Sequence, residues 1–106
     1  QKIRCLTAWV GGSILITWGS TMIPAPSALV LNFPSNPTAQ VVDLDFYKEA
    51  VRIAKENDLV LISDLAYSEI YFDGNPPPSI LEVEGAKDVA VEFTSMSKTY
   101  SMNNFV

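Results

Sequence analysis

Two apolar runs of strand length, separated by one amphipathic helix, constrain this chain more than any other feature. Ala28-Leu-Val-Leu-Asn-Phe33 reads as a strand buried on both faces, and Leu59-Val-Leu-Ile-Ser63 reads the same way. Between them Tyr47, Ala50, Val51 and Ala54 fall at i, i+3, i+4 and i+7 and form one apolar stripe. Lys48, Glu49, Arg52 and Glu56 take the other side, Asp43 is placed to cap the helix, and Asn57-Asp58 ends it. Strand, helix and strand in this space predict a βαβ unit with parallel strands and a right-handed crossover. A third strand is expected over Asp88–Thr94, so the fold class is α/β with a parallel-sheet core.

The remaining segments are less regular. Residues 1–21 are β-prone, with a strand expected over Ile14–Trp18 and a turn at Gly11-Gly12. Pro24 and Pro26 bias their neighbours to extended geometry and mark a short linker. After the second strand, Asp64 to Tyr71 is expected to begin with a helical turn. Asp73-Gly74-Asn75 is a turn, and Pro76-Pro77-Pro78 excludes regular structure. Ser79 is positioned to cap a brief helix, Ile80 to Val83, that stops by Gly85.

Composition narrows the function. With 106 residues there is room for one domain. The net charge of −5 leaves no basic patch for phosphates, so neither nucleic acid nor an anionic membrane is an expected partner. The apolar stretch from Leu6 to Met22 is interrupted by Gly11, Gly12 and Gly19 and is too broken to span a bilayer. Lys2 and Arg4 precede it as in a secretory leader, but Ile23-Pro24-Ala25-Pro26 lacks a small-x-small cleavage pattern. Cys5 is the single cysteine, which rules out an internal disulfide and makes a reducing, cytoplasmic setting the expectation. The chain has no histidine, which excludes Ser-His-Asp and Cys-His catalysis and any His-ligated metal, and no metal site is expected.

Open parallel sheets bind ligands beyond the C-terminal ends of their strands. Here those ends are Pro34–Thr38, Asp64–Tyr67 and Ser95–Lys98. Singly, each has an ordinary reading: Asn36-Pro37 as a turn, Asp64 as a cap, Tyr67 as packing, Lys98 as a surface charge. Together they match one chemistry. A lysine amine forms a Schiff base with an aldehyde cofactor. Pyridoxal 5'-phosphate then needs a carboxylate at its ring nitrogen, donors at its phenolic oxygen and hydroxyls at its phosphate.

Three segments carry a resemblance at this point: Leu29-Val-Leu-Asn-Phe-Pro-Ser-Asn-Pro-Thr-Ala39, Leu61-Ile-Ser-Asp-Leu-Ala-Tyr-Ser-Glu-Ile-Tyr71 and Thr94-Ser-Met-Ser-Lys-Thr-Tyr-Ser-Met102. Over residues 22–102 the chain resembles the fold-type I, pyridoxal-phosphate-dependent aminotransferases of class I/II, above all the alanine and LL-diaminopimelate group. The resemblance implies that Lys98 is the Schiff-base lysine and, once released, the base that moves the substrate proton, for which its amine must be unprotonated. It implies Asp64 at the ring nitrogen, Tyr67 and Asn36 at the phenolic oxygen, and Ser95, with Ser97 as second candidate, at the phosphate. An amino acid and a 2-oxo acid are the implied substrates. A homodimer, or self-association through exposed sheet edges, is the implied assembly.

The departures are specific. Val106 stands where such proteins place a phosphate-gripping arginine. Their upstream glycine-serine loop, ring-stacking aromatic and substrate-carboxylate arginine have no counterpart here. The expectation is therefore an atypical segment over 1–21 followed by part of a cofactor-binding large domain over 22–106, with turnover not expected of these residues alone. The competing expectation is a non-catalytic α/β segment that keeps the family sequence. Ser95-Met96-Ser97-Lys98 also fits the S-x-x-K pair of serine acyl-enzymes, but the accompanying Ser-Asp-Asn and Lys-Thr-Gly motifs are absent.

Overall fold

A computed structural model describes residues 5–7, by their backbone, and residues 26–102. The strand expected at Ile14–Trp18 and the turn at Gly11-Gly12 lie outside the described residues, as do residues 103–106. Among the described residues, four strands form one parallel sheet in the order β1 (Cys5–Thr7), β2 (Ala28–Asn32), β3 (Val60–Asp64) and β4 (Ala90–Phe93). The β2–β3 register aligns Asn32 with Asp64, and the β3–β4 register aligns Asp64 with Phe93. The polar ends of three strands therefore lie in one row.

The crossover from β2 to β3 is helix α1 (Leu44–Asn57). Its start follows from Asp43, whose Oδ1 accepts the Phe46 N–H at 2.8 Å. Its end follows from Asp58, which takes the left-handed conformation at φ 54°, while the Leu59 N–H reaches back to the Ala54 carbonyl at 2.9 Å. The apolar stripe expected from the sequence is the buried one: Tyr47, Ala50, Val51 and Ala54, joined by Ile53. The charged side pairs Arg52 with both Glu49 and Glu56 at 2.6 Å, in full view of solvent.

The core continues from α1 through Leu29, Leu31, Phe33, Leu59, Leu61, Ile80, Val83, Ala86 and Ala90. The brief helix expected after Ser79 is a single 3-10 turn, Ile80–Glu82, closed by a reciprocal capping box between Ser79 and Glu82.

Two expectations are corrected. Asp88 belongs to a second 3-10 turn, Ala86–Asp88, and β4 begins only at Ala90. Gly85, at φ 73°, turns the chain into that 3-10 turn, and the Val89 N–H closes it on the Ala86 carbonyl at 3.0 Å. Nor are the strands covered on both faces among the described residues. Leu29 and Leu61 are fully buried, whereas Val60, Val91 and Phe93 are 50%, 47% and 59% exposed. Successive strand residues point to opposite faces, and α1 covers one of them. Among the described residues no helix is long and apolar enough to cross a membrane.

Candidate active site

The C-terminal edge of the sheet holds a connected set of polar side chains. Asp64 closes β3 and is half-buried. Its Oδ1 accepts the Ala66 N–H at 3.2 Å, a local turn that directs the chain away from the strand. Its Oδ2 accepts Asn32 Nδ2 from the neighbouring strand end at 2.8 Å. Asn32 Oδ1 in turn accepts the backbone N–H of Asn36 at 3.3 Å. Asn36 Nδ2 then donates to the Tyr67 hydroxyl at 3.3 Å. One chain of contacts thus runs Asp64–Asn32–Asn36–Tyr67 and ties together the loops that follow β2 and β3.

Each loop is held by its own backbone. Beyond Asn32 the peptides before Pro34 and Pro37 are cis. The Ser35–Gln40 loop is closed by Ser35 N–H to the Gln40 carbonyl at 3.0 Å and Ala39 N–H to the Ser35 carbonyl at 2.7 Å. Ser35 Oγ also accepts the Gln40 N–H at 3.1 Å. Asn36 projects from this loop and is exposed.

The third strand end joins through Leu65, whose N–H bonds the Phe93 carbonyl at 2.8 Å. From there the chain enters a single-turn helix, α2 (Met96–Thr99), which carries Ser97 and Lys98. Ser95 precedes it; its carbonyl accepts the N–H groups of Lys98 and Thr99 at 3.1 and 3.0 Å, and its hydroxyl makes no capping bond. Lys98 is exposed, and Ser95 and Ser97 are half-buried.

Of the residues singled out from sequence, Asn36 and Tyr67 touch, and Asp64 joins them through one intermediary. Among the described residues no side-chain hydrogen bond links Ser95, Ser97 or Lys98 to those three; their place on this edge comes from topology. A groove of about 850 Å³ opens beside Asn36 and Tyr67, walled by Pro34, Tyr71, Phe72 and Pro77.

Sequence reasoning missed Asn32. The available signal was the matching pattern of the two strands: laid side by side, Ala28-Leu-Val-Leu-Asn32 and Val60-Leu-Ile-Ser-Asp64 each end on a polar residue at the same register position. Glu92 was missed as well. On the covered side of the sheet it accepts Ser79 Oγ at 2.7 Å, the Ile80 N–H at 3.0 Å and Ser63 Oγ at 3.3 Å. Nearby, burial pushes the Tyr47 hydroxyl up to about 12, with a lowering contribution from the Ser63 hydroxyl and a raising one from the Glu92 charge.

A parallel α/β sheet with polar groups gathered at its C-terminal strand ends places the chain in the class of open α/β domains. Comparison with known proteins sharpens the class. The family model described as aminotransferase class I and II matches residues 21–105. AatC of Rhizobium meliloti (strain 1021) is 70% identical over 80 residues, which is 76% of this chain and 20% of that protein. The glutamate-pyruvate aminotransferase AlaC of Escherichia coli (strain K12) is 52% identical over 79 residues, 74% of this chain and 19% of that protein. An aminotransferase structure from Staphylococcus aureus superposes with a TM-score of 0.75 at 36% identity, covering 84% of this chain and 23% of its own. This chain belongs to the class I and II aminotransferase family. It spans about one-fifth of the length of the curated relatives it matches.

Proposed function

We propose that this segment forms the base of a pyridoxal-phosphate site in an aminotransferase that moves an amino group between an amino acid and a 2-oxo acid. The observation that carries the reading is the Asp64–Asn32–Asn36–Tyr67 network at the strand ends. Its donor set fits the cofactor. A carboxylate has about four lone-pair positions, and the two donors on Asp64 leave room for a protonated ring nitrogen. The Asn36 amide and Tyr67 hydroxyl, 3.3 Å apart, present two polar groups to a phenolic oxygen. The Ser95 hydroxyl, uncommitted to its helix, and that of Ser97 suit a phosphate.

Bound there, the cofactor would supply an electron sink for the pair released from the substrate α-carbon. Asp64 would keep the ring nitrogen protonated by pairing with it. Tyr67 and Asn36 would fix the ring's rotation. Lys98 Nζ would anchor the aldehyde carbon and, when displaced, take the α-proton from one carbon and return it to another. Self-association belongs to the same reading, since β4 is an edge strand among the described residues and carries exposed Val91 and Phe93.

The test is covalent. The chain is mixed with pyridoxal phosphate, reduced with borohydride and mapped by peptide mass spectrometry. Modification is expected to concentrate on Lys98, and Lys98→Ala should abolish the visible absorption band. Equal labelling of Lys48, Lys55, Lys87 and Lys98 would mark indiscriminate reaction of surface amines and sink the proposal.

A further inference from the structure

We propose that Asn32 is a positioning residue that clamps the Asp64 carboxylate and the Asn36 loop into one unit; the identity of the ligand this unit serves rests on the pyridoxal-phosphate reading. Asn32 is the last residue of β2, is half-buried, and stands in register with Asp64 across the ladder. Its amide makes two contacts of opposite polarity. Nδ2 donates to Asp64 Oδ2 at 2.8 Å, and Oδ1 accepts the Asn36 N–H at 3.3 Å. A flipped amide would set its oxygen against the carboxylate and its NH2 against an N–H, so the two partners fix the orientation.

An ionised or apolar near-isostere does not meet both demands from this position. A carboxylate offers no donor, leucine offers neither group, and glutamine carries the same amide one methylene too far. The shorter contact is the one to a charged acceptor, and such bonds are the stronger kind.

The geometry gives the clamp two consequences. The first concerns aim. The terminal torsion of an aspartate is soft and spans a broad range. With Ala66 N–H on Oδ1 and Asn32 Nδ2 on Oδ2, the carboxylate plane is held from both ends, and its remaining lone pairs point in fixed directions. The second concerns coupling. Asn36 reaches Tyr67 through its own amide, so fixing the Asn36 backbone also fixes the pair that would meet the phenolic oxygen. One side chain thus ties the group facing a cation to the groups facing an oxyanion. Asn32 itself need touch no ligand.

Asp64 is the ionisable side chain bonded to Asn32. Glu92, on β4, is engaged with Ser63, Ser79 and Ile80 on the covered side of the sheet, and Lys98 follows β4 on α2. A pH experiment on position 32 therefore reads chiefly the Asp64 pair.

Three measurements on the folded chain test the clamp. In the ligand-free protein, the Asn32 Nδ2 proton resonances should move in Asp64→Asn and Asp64→Ala relative to the parent, because the charged acceptor at 2.8 Å is lost. Asn32→Leu, confirmed folded by circular dichroism, should weaken pyridoxal-phosphate binding by about 10- to 100-fold, the range for a lost hydrogen bond to a charged group. Asn32→Asp supplies the reading that a purely structural role would not give. Protonated, the introduced carboxyl donates to Asp64 as the amide does; ionised, it cannot, and it repels. Its binding deficit relative to the parent should be small at acidic pH and grow to about tenfold or more as the shared proton leaves. A still Nδ2 resonance, or a deficit constant across pH, would overturn the clamp. If the parent chain takes up no pyridoxal phosphate while the Nδ2 response persists, the functional reading fails and the clamp stands.

Discussion

Ser63 and Asp64 are neighbours on β3 and belong to two different regions. Ser63 faces the covered side and is 1% exposed. There the polar groups are consumed by the fold: Glu92 collects Ser63 Oγ, Ser79 Oγ and the Ile80 N–H, and no buried side-chain polar atom among the described residues lacks a partner. Asp64 faces the other way, onto the sheet edge. It has two donors, keeps open lone pairs, and sits among exposed or half-buried groups. A carboxylate can therefore be a latch or a receptor according to how many donors the protein itself supplies. Glu92 has the first role by this measure and Asp64 is suited to the second. The strand pleat sends the two to opposite faces, and the turn at Ser79 and Ile80 supplies two of the donors to Glu92.

The sharpest way to break this contrast is a pair of truncations on the same strand. Leu61, fully buried under α1, should cost about 2–5 kcal/mol as Leu61→Ala, because lost transfer energy adds to an unfilled cavity. Ile62 points to the open face and is half-buried. Ile62→Ala should cost about 1 kcal/mol, since little cavity is left behind. Urea unfolding followed by circular dichroism measures both. Equal losses would mean that the two faces are equally packed and that the contrast drawn here is wrong.

Alkaline pH probes the covered region by a second route. An unfolded tyrosine ionises near pH 10, and Tyr47 is held up to about 12, first by burial and then by the nearby Glu92 charge, against a lowering contribution from the Ser63 hydroxyl. Below pH 10 both states keep the proton, and the stabilisation is fully present. Between pH 10 and 12 only the unfolded state releases it, so stability falls with rising pH. The loss should total about 2–3 kcal/mol, following roughly 1.4 kcal/mol per pH unit. Unfolding curves for the parent and Tyr47→Phe, compared from pH 9 to 12, isolate this contribution from other groups that titrate there. Parallel curves would show that the hydroxyl is not buried in the way described.

What was legible in the sequence follows the same division. The βαβ unit could be read because burial imposes period: Tyr47, Ala50, Val51 and Ala54 recur on one helix face, and Asp43 and Asp58 mark its ends chemically. The strand-end residues could be read because Asn36, Asp64 and Tyr67 are polar where apolar runs stop. Three things were not legible. Coverage of one sheet face depends on where α1 packs, and an apolar run such as Leu59-Val-Leu-Ile does not encode it. The start of β4 depends on Gly85 and the turn after it, which a β-prone run beginning at Asp88 conceals. Asn32 looked like part of an apolar strand because its importance lies in a partner 32 positions away, visible only once the register aligns it with Asp64.

The smallest expected effect lies on the edge itself, at Ala39. This residue adopts φ 54°, in the left-handed region, where a Cβ crowds the following carbonyl. The conformation is held because the Ala39 N–H bonds the Ser35 carbonyl at 2.7 Å and the Gln40 N–H bonds Ser35 Oγ at 3.1 Å, closing the loop that presents Asn36. Glycine adopts the same backbone without the steric penalty, though it also gives the unfolded chain more freedom to lose. The first effect is the larger at a left-handed position, so Ala39→Gly should stabilise the protein by about 0.5–1 kcal/mol. A core truncation can only subtract from packing; here a smaller side chain adds stability, because the strain is local and the loop's hydrogen bonds need no side chain at position 39. Thermal unfolding of the parent and variant measures the sign. A loss of stability would mean that the Ala39 methyl is packed against a partner, and that the edge resembles the covered face more closely than the open groove beside Asn36 implies.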